Sequence, residues 1–110
     1  MTPREAAVLN ALLAFDFPGV EELRAQARSL LVSRDCPCDC GTLDLYPAGH
    51  VPISSAGNPI EVSGDILDAD GTAVGGVILF VHDGLLSRLE VYSYGPPLPI
   101  PAPEMIEWHR

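Results

Sequence analysis

The sequence predicts an α+β fold, in which two N-terminal helices pack on one face of an antiparallel sheet of about five strands. Three observations support this class. Apolar residues recur at helical spacing over the first 29 residues, the period changes to two from Leu30 onward, and two tight-turn signals join the last three apolar segments. The predicted order of elements is therefore ααβββββ, with the strands arranged as a meander.

The 110 residues are enough for a single domain with a modest core. Its apolar runs are all shorter than the roughly 18 residues that span a bilayer, and the N-terminus lacks the basic region of a signal peptide. We therefore expect a cytoplasmic protein with no membrane contact. A proline-rich tail, residues 95–110, is expected to pack back on the sheet.

The first helix is predicted by its N-terminal signals. Thr2 can cap it, Pro3 fits the first helical position, and Glu5 completes a capping box. A second helix is predicted over residues 20–29, because its apolar residues also recur at helical spacing. The apolar stripe of the first helix consists of Val8, Leu9, Leu12 and Leu13.

Five strands are predicted after the helices. Two short ones, residues 30–34 and 42–46, precede a loop rich in proline and glycine. Three longer ones follow, "PIEVSGDIL", "TAVGGVILFVH" and "LLSRLEVYSY". Asp68–Gly71 is predicted to form a type I turn between the first two of them, and Asp83–Gly84 a two-residue hairpin turn between the last two.

These two turns predict how the last three strands pair. The second turn pairs Ile78 with Leu89, and the first pairs Ile66 with Val74. On this register, the face that packs on the helices consists of Ile60, Val62, Ile66, Val74, Ile78, Phe80, Leu89 and Val91. The opposite face carries polar and aromatic side chains, and the central strand adds Val77, Leu79 and Val81 to it.

An exposed stripe of three aliphatic side chains predicts that something covers it. At about 25 cal/mol per Å² of apolar surface, leaving it in water would forfeit several kcal/mol. The cover is either the chain's own tail or a second protein, which includes a second copy of this chain. Tyrosine and arginine are favoured at interfaces. The predicted partner-binding residues are Asp65, Val77, Leu79, Val81, Arg88, Glu90, Tyr92 and Tyr94.

The net charge of −9 is distributed unevenly along the chain. Residues 1–34 carry equal numbers of arginines and acids, so all of the net charge lies after Arg34, and the chain has no lysine. Such a field repels phosphate backbones, which argues against binding to nucleic acid. It favours a basic protein partner or a cation.

The segment "RDCPCDCG" holds the three cysteines, Cys36, Cys38 and Cys40. Residues two apart point the same way in an extended segment, so the thiols can converge on zinc, with a fourth ligand such as His50. Structural zinc sites, however, space their cysteines two to four residues apart. The alternatives are a strained disulfide, which the flanking aspartates disfavour, and small buried side chains in a hairpin turn. Apart from this zinc, no cofactor is implied.

The motifs do not indicate an enzyme. A Cys–His catalytic pair requires a thiol beside a base, and none of the three histidines occurs in a sequence context typical of one. The acidic turn "LDADG" does not place ligands where a calcium loop needs them, and "VGGV" lacks the phosphate-loop pattern. We therefore expect no catalytic residues.

Three segments, "NALLAFDFPGVEELRAQ", "CPCDCGTLDL" and "GTAVGGVILFVHDGLLSRLEVYSYG", resemble small acidic proteins of high-GC actinobacterial genomes. This resemblance implies a bacterial protein in which a cysteine-rich turn followed by an acidic strand recurs, and it carries over no catalytic residues. In size, charge and helix-then-sheet order the chain is also similar to bacterial immunity proteins and antitoxins, as a fold-level analogy.

Two functional hypotheses follow from these observations. The first is a non-enzymatic acidic binding protein that engages a protein partner, as an immunity protein or antitoxin does. The second is a zinc-thiolate protein, with a structural or regulatory metal at Cys36, Cys38 and Cys40.

Overall fold

A computed structural model describes residues 1–34 and 40–110. Within these residues, two helices and a six-stranded antiparallel sheet confirm the predicted α+β class. The helices are α1 (Pro3–Leu13) and α2 (Val20–Ala27). The strands are β1 (Leu30–Ser33), β2 (Leu43–Pro47), β3 (Ser63–Leu67), β4 (Ala73–His82), β5 (Leu85–Ser93) and β6 (Ile106–His109). A short 3-10 helix, Pro103–Met105, directly precedes β6. Neither α-helix has the length and apolar composition needed to cross a membrane.

The start of α1 confirms the predicted capping box. The Glu5 N–H donates to the Thr2 hydroxyl (3.2 Å), and the Thr2 N–H donates to the Glu5 carboxylate (2.7 Å). The predicted apolar stripe of α1 is buried in full. Helix α2 ends two residues earlier than predicted, and it buries Gln26 beside two apolar residues, Val20 and Leu23.

Glu5 also ties the first turn of α1 to the end of β1. Its carboxylate is buried and accepts a hydrogen bond from the Arg34 guanidinium at 3.2 Å. Burial acts to raise the pKa of Glu5. The hydrogen bonds from Thr2 and Arg34, together with the Arg34 charge, outweigh burial and lower this pKa below its ordinary value of 4.5.

We expect this lowered pKa to make the fold sensitive to acid. The Glu5 carboxylate stabilises the fold above about pH 4.5, and this stabilisation is lost as the pH falls through the lower folded-state value. A Glu5→Gln variant should therefore lose less stability than the wild type between about pH 5 and pH 3, measured by urea unfolding. The matched control, Glu104→Gln, changes an exposed acid and should keep the wild-type pH profile. Equal acid losses in Glu5→Gln and wild type would contradict this role.

The strands lie in the order β1-β2-β5-β4-β3-β6, and all neighbours are antiparallel. The predicted meander holds for β3, β4 and β5, but it is wrong for the whole sheet, because β2 pairs with β5 instead of β3. Both predicted turns are confirmed. Asp83 (φ 50°) and Gly84 (φ 78°) form the two-residue link between β4 and β5. In the turn between β3 and β4, the Asp68 carboxylate accepts hydrogen bonds from the N–H groups of Asp70 and Thr72.

The predicted pairing of β4 with β5 is wrong by one residue. Beyond the hairpin turn, His82 faces Leu85 as predicted, but Ser87 is an extra residue in β5 that has no partner in β4. This bulge shifts the rest of the strand, so Ile78 pairs with Glu90. The sequence pattern alone gave no sign of the bulge, because a serine fits a strand without one.

The predicted pairing of β4 with β3 is wrong for the same reason. Val74 is an extra residue in β4, so Ile66 pairs with Gly75 and Ser63 pairs with Ile78. Two bulges, one on each side of the central strand, thus shift both ladders. Because side chains alternate along a strand, a one-residue shift turns the whole of β4 over relative to its neighbours.

The predicted exposed stripe on β4 is therefore wrong. Val77 and Leu79 are 0% exposed and Val81 is 2% exposed, and all three lie in the core with the helices. Ile78 and Phe80, which were predicted to face the helices, are half-buried on the opposite side. In the segments flanking β4, the predicted core residues are buried as expected, namely Ile60, Val62, Ile66, Leu89 and Val91.

The C-terminal tail returns to the sheet as β6, which pairs with β3. Ile106 is buried, and the Trp108 ring lies edge-on to Phe15 with centroids 6.4 Å apart. A glycine is required at position 64 of β3, because a Cβ there would lie 2.4 Å from the Ile106 side chain. The tail thus closes one edge of the sheet and adds to the core on the helix side.

Candidate functional site

The open face of the sheet, meaning the face opposite the helices, presents its side chains in three cross-strand rows. The first row consists of Asp44, Arg88 and Phe80. The second consists of Glu90, Ile78, Ser63 and His109. The third consists of Tyr92, Gly76, Asp65 and Glu107. In the described residues both helices pack on the other face, so no helix covers these rows.

The centre of the open face is partly apolar. Ile78 and Phe80 are half-buried there. The Tyr92 ring lies across Gly76, since a Cβ at this glycine would meet the Tyr92 hydroxyl at 2.2 Å. Tyr94 extends the aromatic surface, with its ring centroid 5.9 Å from that of Tyr92 and 67% of the residue exposed.

The open face is negatively charged. Arg88 is the single arginine of the three rows, and its Nε lies 3.0 Å from the Asp44 carboxylate, which neutralises it. Three further carboxylates remain in the rows, those of Asp65, Glu90 and Glu107. Near Phe80, a depression of about 260 Å³ brings acidic and aromatic side chains together; it is lined by Asp44, Asn58, Phe80, His82, Ser87, Arg88 and Glu90.

The pKa of Tyr92 is raised by burial and by the negative charges of the open face. Burial raises the pKa of Tyr92, and contact with Tyr94 and the negative charges of Asp65 and Glu90 raise it further. These effects favour the protonated phenol, whose hydroxyl is hydrogen-bonded with Tyr94.

At the β3/β6 edge of the open face, two carboxylates and an imidazole converge. Asp65 pairs with Glu107 across the two strands, and His109 lies two residues further along β6 on the same face. The His109 Nε2 atom lies 2.7 Å from the Asp65 Oδ2 and 3.8 Å from the Glu107 Oε1. One potential ligand atom from each residue lies within 4.8 Å of the others.

The structure separates the predicted partner-binding residues into two groups. Asp65, Arg88, Glu90 and Tyr92 lie together on the open face, with exposed Tyr94 beside them. The three aliphatic residues predicted with them lie in the core and have no surface that a partner could contact; they are Val77, Leu79 and Val81.

The structure describes two of the four predicted zinc ligands, Cys40 and His50. Cys36 and Cys38 lie outside the described residues. Cys40 is half-buried near the Glu5–Arg34 ion pair, in a small depression of about 190 Å³. His50 is exposed. Among the residues that the structure describes, neither Cys40 nor His50 belongs to a group of three clustered metal-ligating side chains.

Six residues of the open face were missed from the sequence, including Asp44 and Gly76. Ile78 and Phe80 were assigned to the core because the two bulges were not recognised. Glu107 and His109 were missed because the prolines of residues 95–103 obscured the strand that follows them. The alternation of apolar and polar residues in "IEWH" was the available signal for that strand.

Comparison of the chain with models of known protein families, with curated proteins and with solved structures finds no match. The function is therefore inferred from the open face itself.

Proposed function

We propose that this protein is a non-enzymatic, acidic binding protein that holds a basic protein partner on the open face of its sheet. The observation that carries the proposal is a sheet face with no helix packed on it in residues 1–34 and 40–110, where half-buried Ile78 and Phe80 are surrounded by carboxylates. Specific protein interfaces have this arrangement, with an apolar centre inside a polar rim.

The aromatic residues of the face suit a cationic partner. Tyr92 and Tyr94 offer ring faces to lysine or arginine side chains, an attraction of about 0.5–2 kcal/mol per contact. Tyrosine and arginine are also enriched among the residues that dominate binding energy. Arg88 lies between the Asp44 carboxylate and the apolar centre, and we assign it a positioning role at the rim.

Charge favours a basic protein over the other occupants of the face. A second copy of this chain would bring another net charge of −9 to the same surface, and nucleic acid would bring phosphates. A basic protein is instead attracted over the Debye length of about 10 Å and associates faster. By analogy with immunity proteins and antitoxins, we propose that the complex forms in the cytoplasm and inhibits the partner.

The zinc-thiolate hypothesis receives no comparable support. Of its three cysteines the structure describes Cys40 alone, and none of the described residues completes a metal site around it. We therefore do not carry it forward as a second function.

The proposal predicts that binding depends on salt and on the charge of the open face. Protein immobilised on a support should retain a basic protein from a lysate of its source organism at about 50 mM salt and release it at about 500 mM. Glu90→Arg reverses a charge beside Ile78 and should weaken binding at least about tenfold, or 1.4 kcal/mol.

The matched control is Asp70→Arg, which changes the net charge equally but lies in the exposed turn between β3 and β4. It should bind within about twofold of the wild type. Equal weakening by both variants would indicate attraction to the overall charge, and binding of the same protein by Glu90→Arg within about twofold of the wild type would refute the proposed surface.

A further inference from the structure

We propose that Asp65, Glu107 and His109 form a divalent-metal site at the β3/β6 edge, with Zn²⁺ as the fitting ion. The donor set is mixed, one imidazole nitrogen and two carboxylate oxygens, which suits zinc and its first-row neighbours. The site shares Asp65 and Glu107 with the open face, so the test includes Glu90→Arg, a variant that changes partner binding without touching a metal ligand.

The spacing of the donor atoms matches a metal shell. Ligands about 2.0–2.1 Å from a zinc ion lie about 3 Å from one another. The His109 Nε2 atom is 2.7 Å from Asp65 and 3.8 Å from Glu107. The three donor atoms lie within 4.8 Å of one another, so an ion placed between them would replace the Asp65–His109 hydrogen bond and draw in the exposed Glu107 side chain.

The backbone holds the three residues in this arrangement. Antiparallel pairing sets Asp65 directly opposite Glu107 and, in the next pair but one, His109 opposite Ser63. Sites built on strands are more exact than sites on loops. Asp65 is half-buried, whereas Glu107 and His109 are exposed, so water can complete the coordination shell.

The local charge favours a cation. The two carboxylates give the cluster a negative charge in a protein whose net charge is −9. Arg110, the residue after β6, does not neutralise them, because its guanidinium donates to the Asp16 carbonyl oxygen and lies 3.9 Å from Glu61. A bound metal would join β3 to the tail strand and raise the stability of their pairing.

Isothermal titration with ZnCl₂ tests the site. To remove the thiols, the titration uses a variant in which all three cysteines are serine. We expect one Zn²⁺ per chain, an affinity at least about tenfold weaker in both Asp65→Asn and His109→Ala, and a rise in Tm with zinc that both variants lose. His82→Ala is the matched control, because His82 is an exposed histidine 3.4 Å from Asp83 that lies in no such cluster.

If the serine variant does not fold, NMR of the wild-type protein with Mn²⁺ tests the site instead. Mn²⁺ prefers oxygen and nitrogen donors to thiolates, so it can be added to the wild-type protein. Its paramagnetism should first broaden the NMR signals of residues 63–66 and 106–109. Absence of zinc binding, equal losses in His82→Ala, or equal Mn²⁺ broadening around Asp83 would each overturn the site. Glu90→Arg should leave metal binding intact, which separates this result from the partner-binding test.

Discussion

Replacing Gln26 with leucine should lower the free energy of unfolding by about 2–4 kcal/mol. Gln26 is 0% exposed, and its amide donates hydrogen bonds to the carbonyl oxygens of Pro52 (2.7 Å) and Gly84 (2.8 Å). Its side-chain oxygen accepts from the Leu86 N–H at 2.8 Å. Leucine has a similar volume but leaves the buried Leu86 N–H unpaired, at about 1–3 kcal/mol, and removes a donor from the Pro52 carbonyl. The Gly84 carbonyl keeps its hydrogen bond from the Ser54 N–H. Urea unfolding measures the loss.

A Gln26→Glu variant keeps the shape of the side chain, so it shows how much stability is lost with the hydrogen bonds alone. The carboxylate keeps an acceptor for Leu86 but removes both donors and places a charge in the core. Burial raises the pKa of such a carboxyl, so the folded state binds its proton more tightly than the unfolded state. The variant should therefore be strongly destabilised near pH 7 and partly recover near pH 5. If the free energies of unfolding of Gln26→Leu and Gln26→Glu both lie within about 0.5 kcal/mol of the wild-type value, Gln26 does not hold α2 to the β4–β5 hairpin.

Truncation of Leu79 to alanine should cost about 3–4 kcal/mol, whereas truncation of its neighbour Ile78 should cost about 1–2 kcal/mol. Leu79 is fully buried between the sheet and the helices, and Ile78 is half-buried on the open face. Both substitutions remove aliphatic carbons from adjacent positions of β4, so the pair controls for strand propensity. The midpoints of urea unfolding, at equal slopes, give the two values.

The order of these two losses tests which face of β4 is buried. Pairing without bulges would place Ile78 in the core and Leu79 in water, and the larger loss would then belong to Ile78. Such a result would also remove the basis of the open face, because its apolar centre would lie against the helices.

The helices and turns were predictable because their signals are local. The Thr2–Glu5 capping box and the glycine of the Asp83–Gly84 turn each depend on a few neighbouring residues. The orientation of β4 was not predictable, because it depends on bulges at Val74 and Ser87. A bulge responds to the packing of distant residues, and it changes every pairing beyond it.

The candidate site was predictable only on β3 and β5, the strands on either side of β4. Asp65, Glu90 and Tyr92 were placed on the open face because their own strands alternate clearly. The edge strand of the face, β6, begins 39 residues after the end of β3 in the sequence, so no hairpin signal links the two strands. Gln26 was missed as a core residue because its hydrogen-bond partners lie 26 to 60 residues away.

Site-specific photo-crosslinking tests most directly whether a basic partner occupies the open face. A benzophenone side chain at position 80, in the half-buried centre of that face, should form a covalent adduct with a lysine- and arginine-rich protein in cells of the source organism. The same side chain at position 10, exposed on α1, should form none. Adding Glu90→Arg to the position-80 variant should sharply reduce the yield of the adduct. An adduct whose yield is unchanged by this charge reversal, or one that forms at position 10 instead of position 80, would contradict binding through the open face.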